Sequence, residues 1–461
     1  MREKISELKE NEDVPALINI LEKGDKKERA EAAKALGMIG ASGALPILLE
    51  KAEKDKEGTV RANSILALSH YGFDSVEKIF KEACEDDDWK VKHDVAIAMR
   101  SYGEKFKEEL YSLIEDDEIE VRKKAIESLG IVGSKDDIQK IAEYVENERL
   151  KKVAVEAISR IGSEKAIDIL TDVYSEEDQN IRELAVKGAG KINDERSLSL
   201  LIEALEDESW RIREEAANFL GKLENKKAIS PLLERLDDEN FHVLEASIRS
   251  LSKIDGEDVL KEIINLYDHR SPEVRIAITD ALINISEDVP SKFLINFLES
   301  EENPRVLWSL SDALVGLSRE NLKKLEKKLS SLEDEKRIFL LVGLAKTGKV
   351  IHPDELISTL ESDRWKVRQK VIEALEEIDI EELSNRNRKK ILKKLKDRLN
   401  DNDKWVRARA VKTASHHISR LDEELSEEET KRLKEEIYRL KEMEMDEDVL
   451  EEIKKAQELI G

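Results

Sequence analysis

The chain has 461 residues, of which 40% are charged and 4% are aromatic, and its formal net charge is −25 at pH 7. Its 40% hydrophobic residues exclude an intrinsically disordered chain, while so few aromatics would leave separate globular domains with thin cores. The single cysteine, Cys84, excludes a disulfide framework and a Cys-rich zinc site and suits a reducing compartment.

The N-terminal residues, MREKISELKE, are charged throughout, and the longest apolar stretch, about 338–345, is far shorter than a membrane span. We therefore expect a cytoplasmic protein with no membrane contact. Residues 1–12 are predicted to be an N-terminal capping segment.

From there a pattern recurs along the chain: an acidic turn, a Val-Arg pair and a helix of small residues that ends in glycine, as in IEVRKKAIESLGIVG at 119–133. The Val position is an anchor in fourteen units that lie 29–32 residues apart, with longer intervals of 39 and 43 near the end. The anchors are Glu28, Val60, Val91, Val121, Leu150, Ile181, Ile212, Val243, Val274, Val306, Lys336, Val367, Val406 and Val449. This period predicts one repeat domain over residues 1–461.

Each unit is predicted to hold two helices, A and then B. The B helix begins near the anchor and has apolar or small residues 4, 8 and 11 positions later, which is one face of a helix. A glycine twelve positions after the anchor is expected to close the helix in the left-handed conformation. These glycines are Gly40, Gly72, Gly103, Gly133, Gly162, Gly348 and Gly461. The seven prolines all fall near predicted helix starts.

The Val-Arg pair and the helix pattern AxxxLGxxG, seen at Ala125, Leu129, Gly130 and Gly133, resemble the HEAT repeat superfamily. The likeness is to the short HEAT-like repeats of phycobilisome lyases. It implies an all-α, right-handed α-solenoid of about fourteen two-helix repeats, with B helices on a concave side that commonly binds partners. The resemblance is specific for the fold, and function depends on the surface that the repeats display.

A basic residue directly follows the anchor in eleven of the fourteen units. Such a series is able to bind a polyanion, or to pair with the acidic turns and so link successive units. Because it recurs with the structural period, the second interpretation is favoured.

Ten positions after the anchor, four consecutive units carry a cation, which we call the basic column: Arg160, Lys191, Lys222 and Lys253. In a solenoid this arrangement would suit an acidic peptide or helix of a partner. The alternative is that each cation stabilises the C-terminal end of its own helix.

Two units before the last one replace the basic residue after the anchor by leucine, giving Leu244 in one and Leu307 with Trp308 in the other. If exposed, these side chains would form a partner-binding hot spot. The alternative is local core packing.

Residues 380–461 are predicted to form longer, charge-segregated repeats. Residues 386–420 have a net charge of +10, which leaves −35 for the rest, while residues 421–461 have −9. The candidate polyanion-binding residues are Arg386, Arg388, Lys389, Lys390, Lys393, Lys394, Arg407 and Arg409. The alternative is that the acidic last unit folds back and neutralises them.

No catalytic or cofactor motif emerges from the sequence. HEAT-like deoxyhypusine hydroxylases hold two irons with His-Glu pairs, and none of the seven histidines here precedes a glutamate. His416 and His417 are adjacent, so they point about 100° apart on a helix and cannot easily share a metal ion. We therefore expect no cofactor and a non-catalytic scaffold that presents a groove to a protein or peptide. Nucleic-acid binding and a lyase-type enzyme remain the alternatives, and the oligomeric state is undefined.

Overall fold

The computed structural model describes residues 2–175, 178–254, 256–285, 289–348, 352–420 and 427–460, and every regular element in these ranges is a helix. The chain divides into two compact units, Met1–Phe219 and Leu220–Gly461.

The α-helices that begin in the first unit are α1 (Arg2–Glu10), α2 (Val14–Lys23), α3 (Lys26–Ile39), α4 (Leu45–Lys54), α5 (Gly58–Leu68), α6 (Phe73–Ala83), α7 (Trp89–Ala98), α8 (Lys107–Leu113), α9 (Ile119–Val132), α10 (Ile138–Ala142), α11 (Lys151–Ile161), α12 (Ile167–Tyr174), α13 (Gln179–Ala189), α14 (Glu195–Glu203) and α15 (Trp210–Leu223). Those of the second unit are α16 (Ile229–Glu234), α17 (Phe241–Ile254), α18 (Gly256–Ile264), α19 (Pro272–Ile285), α20 (Ser291–Ser300), α21 (Pro304–Ala313), α22 (Arg319–Glu326), α23 (Asp334–Lys346), α24 (Pro353–Thr359), α25 (Trp365–Glu376), α26 (Asn385–Arg398), α27 (Lys404–Arg420), α28 (Glu427–Met443) and α29 (Glu447–Ile460).

The repeat found in the sequence matches these helices. Every anchor lies in an odd-numbered helix from α3 onward, except Leu150, which lies directly before α11. The odd-numbered helices from α3 are therefore the B helices and the even-numbered ones are the A helices. Within each of the two compact units, consecutive B helices pack side by side, as α3 does with α5 and α17 with α19. Helix α1 lies against α2 and α3. The predicted all-α stack of helix pairs is confirmed.

The apolar stripe of the B helices forms the core. Val121, Ala125 and Leu129 of α9 are fully buried, and the matching positions of most other B helices are buried as well. All seven prolines lie at the N-cap or in the first three positions of a helix, which confirms their predicted placement because no interior backbone hydrogen bond is lost there.

The basic residue after the anchor links successive units in a repeated ion pair, the Arg–acid ladder. Its partner is the carboxylate five residues before the next anchor, and that carboxylate also accepts the backbone N–H two residues further on. The pairs, at 2.6–2.9 Å, are Arg29–Asp55, Arg61–Asp86, Lys92–Asp116, Arg182–Asp207, Arg275–Glu301, Arg368–Asp401 and Arg407–Glu444. For the repeats that contain these pairs, the contacts confirm that the basic residue after the anchor pairs with an acidic turn and links successive repeats.

The glycine prediction is confirmed in part. Gly103 has φ of 61° with ψ of −134°, so it is not in the left-handed helical conformation. Gly40, Gly162 and Gly348 have φ between 59° and 67°, and Gly40 and Gly162 cap their helices in the left-handed conformation. Gly72 and Gly133 were expected to share it and do not, since their φ values are −64° and −73°. At Gly133 close approach explains the residue instead, because an added Cβ would lie 2.3 Å from the Leu129 carbonyl oxygen. Gly461 lies outside the described residues.

Candidate functional site

The compact unit Met1–Phe219 contains two cations of the basic column, Arg160 and Lys191, which lie at the C-terminal ends of neighbouring B helices. The Arg160 guanidinium pairs with Glu156 at 3.0 Å on its own helix. Lys191 Nζ donates to the Ser159 carbonyl oxygen at 3.1 Å, so it reaches back to the last turn of α11. Burial, and then the charge of Arg160, lower the pKa of Lys191. Both cations are exposed and remain candidates for binding, while Lys191 also stabilises a helix end.

In the second unit, Lys222 and Lys253 are exposed in the last turns of α15 and α17. The next two B helices present apolar side chains at nearly the same position: Ile283 of α19 is 47% exposed and Val315, just after α21, is 49% exposed. Sequence reasoning missed these two residues. The available signal was their position in the repeat: both lie nine residues after the anchor, next to the position of the basic column, which is ten residues after the anchor.

The expected hot spot is wrong for both leucines. Leu244 and Leu307 are only 3% and 2% exposed, because without a charge the position after the anchor packs into the core between B helices. Trp308 is half-buried, and its ring packs edge-on against Phe339 with centroids 4.2 Å apart. These residues therefore serve packing, which was the alternative interpretation.

Arg388 was a candidate for polyanion binding, and the structure corrects this. Its side chain is 4% exposed and donates to the carbonyl oxygens of Ile380, Glu381 and Leu383 at 3.0–3.2 Å. The guanidinium thus holds the turn that precedes α26 and is not available to a ligand.

Four further candidates in the basic segment are engaged in ion pairs with acids distant in sequence. Their pairs are Lys390–Asp354, Lys394–Glu361, Arg407–Glu444 and Arg409–Glu376. Lys404 likewise pairs with Asp448 of α29 at 2.8 Å. The acidic last repeat therefore neutralises part of the basic segment. The remaining candidates, Arg386, Lys389 and Lys393, are exposed on α26.

His417 is buried in α27, with 1% exposure, and its Nε2–H donates to the Leu375 carbonyl oxygen at 2.9 Å. Its Nδ1 is buried without a hydrogen-bond partner in the structure. Burial is the main reason why the pKa of His417 falls to about 4. The imidazole is therefore neutral near pH 7 and occupies a structural position.

This burial predicts a pH dependence of stability. Between about pH 7 and about pH 5 the unfolded chain takes up a proton at His417 and the folded chain does not, so the free energy of unfolding should fall by about 2 kcal/mol. His417→Gln, which keeps a donor but does not titrate, should remove that part of the slope. Urea unfolding of both proteins across this range is the measurement, and equal slopes would contradict the prediction.

No helix in the described ranges is both long enough and apolar enough to span a bilayer. Within the same ranges, no group of three or more His, Cys, Asp or Glu side chains is placed to hold a metal ion.

Comparison with known proteins identifies the repeat. The family model for HEAT repeats matches residues 14–100, 76–151, 110–180, 172–252 and 231–315. A search of curated proteins gave no match. Among solved structures, Kap95p with RanGDP aligns over 98% of this chain and 72% of that chain, at 12% identity and a TM-score of 0.55.

Two further solved structures are similar. Importin beta in an ammonium sulfate condition covers 100% of this chain and 70% of its own, at 13% identity and a TM-score of 0.56. The Kap95:Nup1 complex covers 97% and 71%, at 14% identity and a TM-score of 0.60. At such identities the likeness shows the fold, an all-α solenoid. Because the family model also matches more than half of its length, the chain belongs to the HEAT repeat family.

Proposed function

We propose that the chain is a non-catalytic scaffold that binds a protein partner at the ends of its B helices. The observation that carries this is a series in the second compact unit: exposed Lys222 and Lys253 are followed by exposed Ile283 of α19 and by exposed Val315 in the turn directly after α21. Helices α17, α19 and α21 pack side by side, and Gly221 of α15 lies against Ser250 of α17, so the C-terminal ends of these helices form one edge of the stack.

The chemistry of this edge suits a partner segment with acidic residues beside apolar ones. The ammonium groups supply long-range attraction and orientation, while the half-exposed aliphatic side chains gain from being removed from water. Within this edge the Arg275–Glu301 pair of the ladder links α19 to the repeat of α21 and helps to fix their spacing, which lowers the ordering cost of binding. Protein binding by a related fold is illustrated by the solved Kap95:Nup1 complex.

The proposal extends to Arg160 and Lys191, which occupy the same position in the first unit. Glu156 neutralises the first of them in part, so we expect its contribution to be smaller than that of Lys222 or Lys253. The non-catalytic part of the proposal is supported by the sequence, in which no histidine precedes a glutamate and no phosphate-binding loop occurs.

Lys222→Glu with Lys253→Glu tests the proposal. Tagged wild-type and variant chains would capture partners from the native host, followed by quantitative mass spectrometry. We expect the main partner of the wild type to fall at least about tenfold in the double variant, because two attractive charges become repulsive. Far-ultraviolet circular dichroism and the melting temperature should not change, since both side chains are exposed.

A matched control is the pair Lys261→Glu and Lys292→Glu, which makes the same change of charge on exposed positions of A helices α18 and α20. This variant should retain the partner. Retention by the Lys222/Lys253 variant, or equal loss in both variants, would remove the B-helix edge as the binding surface.

A further inference from the structure

A groove lies between α26 and α28, near the C-terminal end of the chain. Its volume is about 390 Å³, and we call it the C-terminal basic groove. It is lined by Lys389, Lys390, Leu392, Lys393, Lys396, Asp397 and Arg432. The lining holds five cationic side chains and a single carboxylate, and one of the five, Lys390, pairs with Asp354 of α24. The chain as a whole has a net charge of −25.

The cations of α26 divide between two faces of the helix. On one side Lys394 and Arg398 pair with Glu361, and Lys390 pairs with Asp354 at 2.6 Å. These contacts attach α26 to the preceding repeat. They consume the charge on that side and fix the rotation of the helix.

The other side faces the groove. Lys389, Lys393 and Lys396 are four and three residues apart, so they lie on one face and span about 10 Å along the helix axis. Neither Lys393 nor Lys396 forms an ion pair with any residue in the described part of the chain. The single acid of the lining, Asp397, lies 3.7 Å from Lys394 and is partly neutralised by it.

We propose that the C-terminal basic groove binds a compact, soluble anion with several phosphate groups, such as an inorganic polyphosphate chain. Four of the five cations in the lining are lysines, and lysine binds phosphate as a compact point charge. Phosphate groups a few ångströms apart match the spacing of ammonium groups along one helix face. The volume is that of a small-molecule site.

The other classes of anion fit this groove less well. Nucleic acid would require a cationic track longer than about 10 Å, because its affinity is built from many phosphate contacts. A membrane surface would require apolar side chains that enter the bilayer, and among the described residues α26 has no exposed large apolar side chain. The site is therefore expected to enclose a short ligand.

The test is calorimetric titration of the full chain with inorganic tripolyphosphate at about 50 mM salt, where phosphate contacts are strongest. Lys393→Glu with Lys396→Glu should weaken binding at least about tenfold, because two attractive charges are replaced by repulsive ones inside a groove. The same double substitution at Lys261 and Lys292 controls for the change in net charge and should alter binding by less than about twofold. Circular dichroism should show unchanged helicity in both variants.

Absence of tripolyphosphate binding by the wild type, or equal weakening in both variants, would overturn the proposal. Tighter binding of an oligoglutamate of matched charge would assign the groove to an acidic peptide instead. Tighter binding of single-stranded DNA or of phosphatidylserine-containing vesicles would assign it to nucleic acid or to a membrane, and each of these results would also overturn the proposal.

Discussion

Asp207→Ala is expected to lower the free energy of unfolding by about 3 kcal/mol, because it removes one partner of a buried ion pair and leaves Arg182 buried without the opposite charge of Asp207. The Asp207 side chain is 3% exposed and that of Arg182 is 9% exposed, with Nε and Oδ2 at 2.8 Å. The same carboxylate accepts the Ser209 N–H at 2.8 Å and the Tyr174 hydroxyl at 3.0 Å. One substitution therefore removes the carboxylate that accepts hydrogen bonds from Arg182, Ser209 and Tyr174.

The expected loss of stability is at the lower end of the range for buried ion pairs. The reason is that Arg182 also pairs with Glu208 at 2.8 Å, and that contact remains. Hydrogen exchange should rise in α13, α14 and α15, and urea unfolding should shift to lower concentration. Asp168→Ala is the matched control, since its pair with Arg196 lies at the surface and should contribute little. Equal exchange in the two variants would show that the ladder has no more weight than a surface pair.

Acid should act through the same residue. Burial acts to raise the pKa of Asp207, but the contacts with Arg182, Ser209 and Tyr174 lower it overall. Its contribution to stability is therefore complete above the pKa of the unfolded chain and is lost as the pH falls through the lower pKa of the folded chain. The wild type should lose stability in that interval, and the alanine variant has no such contribution to lose.

The ladder was accessible to sequence reasoning because it repeats with the structural period. A cation after the anchor and a carboxylate five residues before the next anchor recur together, so the period itself indicates which residues meet. The exposure of Leu244 and Leu307 was not accessible in the same way. Where leucine replaces the basic residue of the Val-Arg pair, the direction of its side chain depends on the packing of the neighbouring helices.

The basic segment shows the other limit. Sequence reasoning found its net charge of +10 but not the division of its cations, because the acids that pair with them lie far along the chain, as Glu444 does from Arg407. It also left out Lys396 and Arg432 as candidates, although both line the groove. The spacing of Lys389, Lys393 and Lys396 was the helical signal for a common face.

A second large effect is expected at the contact between neighbouring B helices. Gly130 of α9 is buried, and a Cβ placed there would lie 2.6 Å from both Cα and Cβ of Ala157 in α11. The same distances recur between Gly37 and Ala67, so close approach at this position is a property of the repeat. Glycine weakens a helix interior by about 1 kcal/mol relative to alanine, and the close packing it permits offsets that cost.

Gly130→Leu should therefore lower the free energy of unfolding by about 3 kcal/mol, because the side chain meets backbone that cannot move aside without separating the two helices. Since each repeat contacts only its neighbours, amide exchange should rise most in α9 and α11 and decline with distance along the chain. Gly43→Leu is the control, because Gly43 is exposed with no atom within 4 Å of an added Cβ, and it should change stability by less than about 0.5 kcal/mol. Uniform exchange along the whole first unit would instead mean that its repeats unfold as one cooperative block, and that the nearest-neighbour description of this stack is wrong.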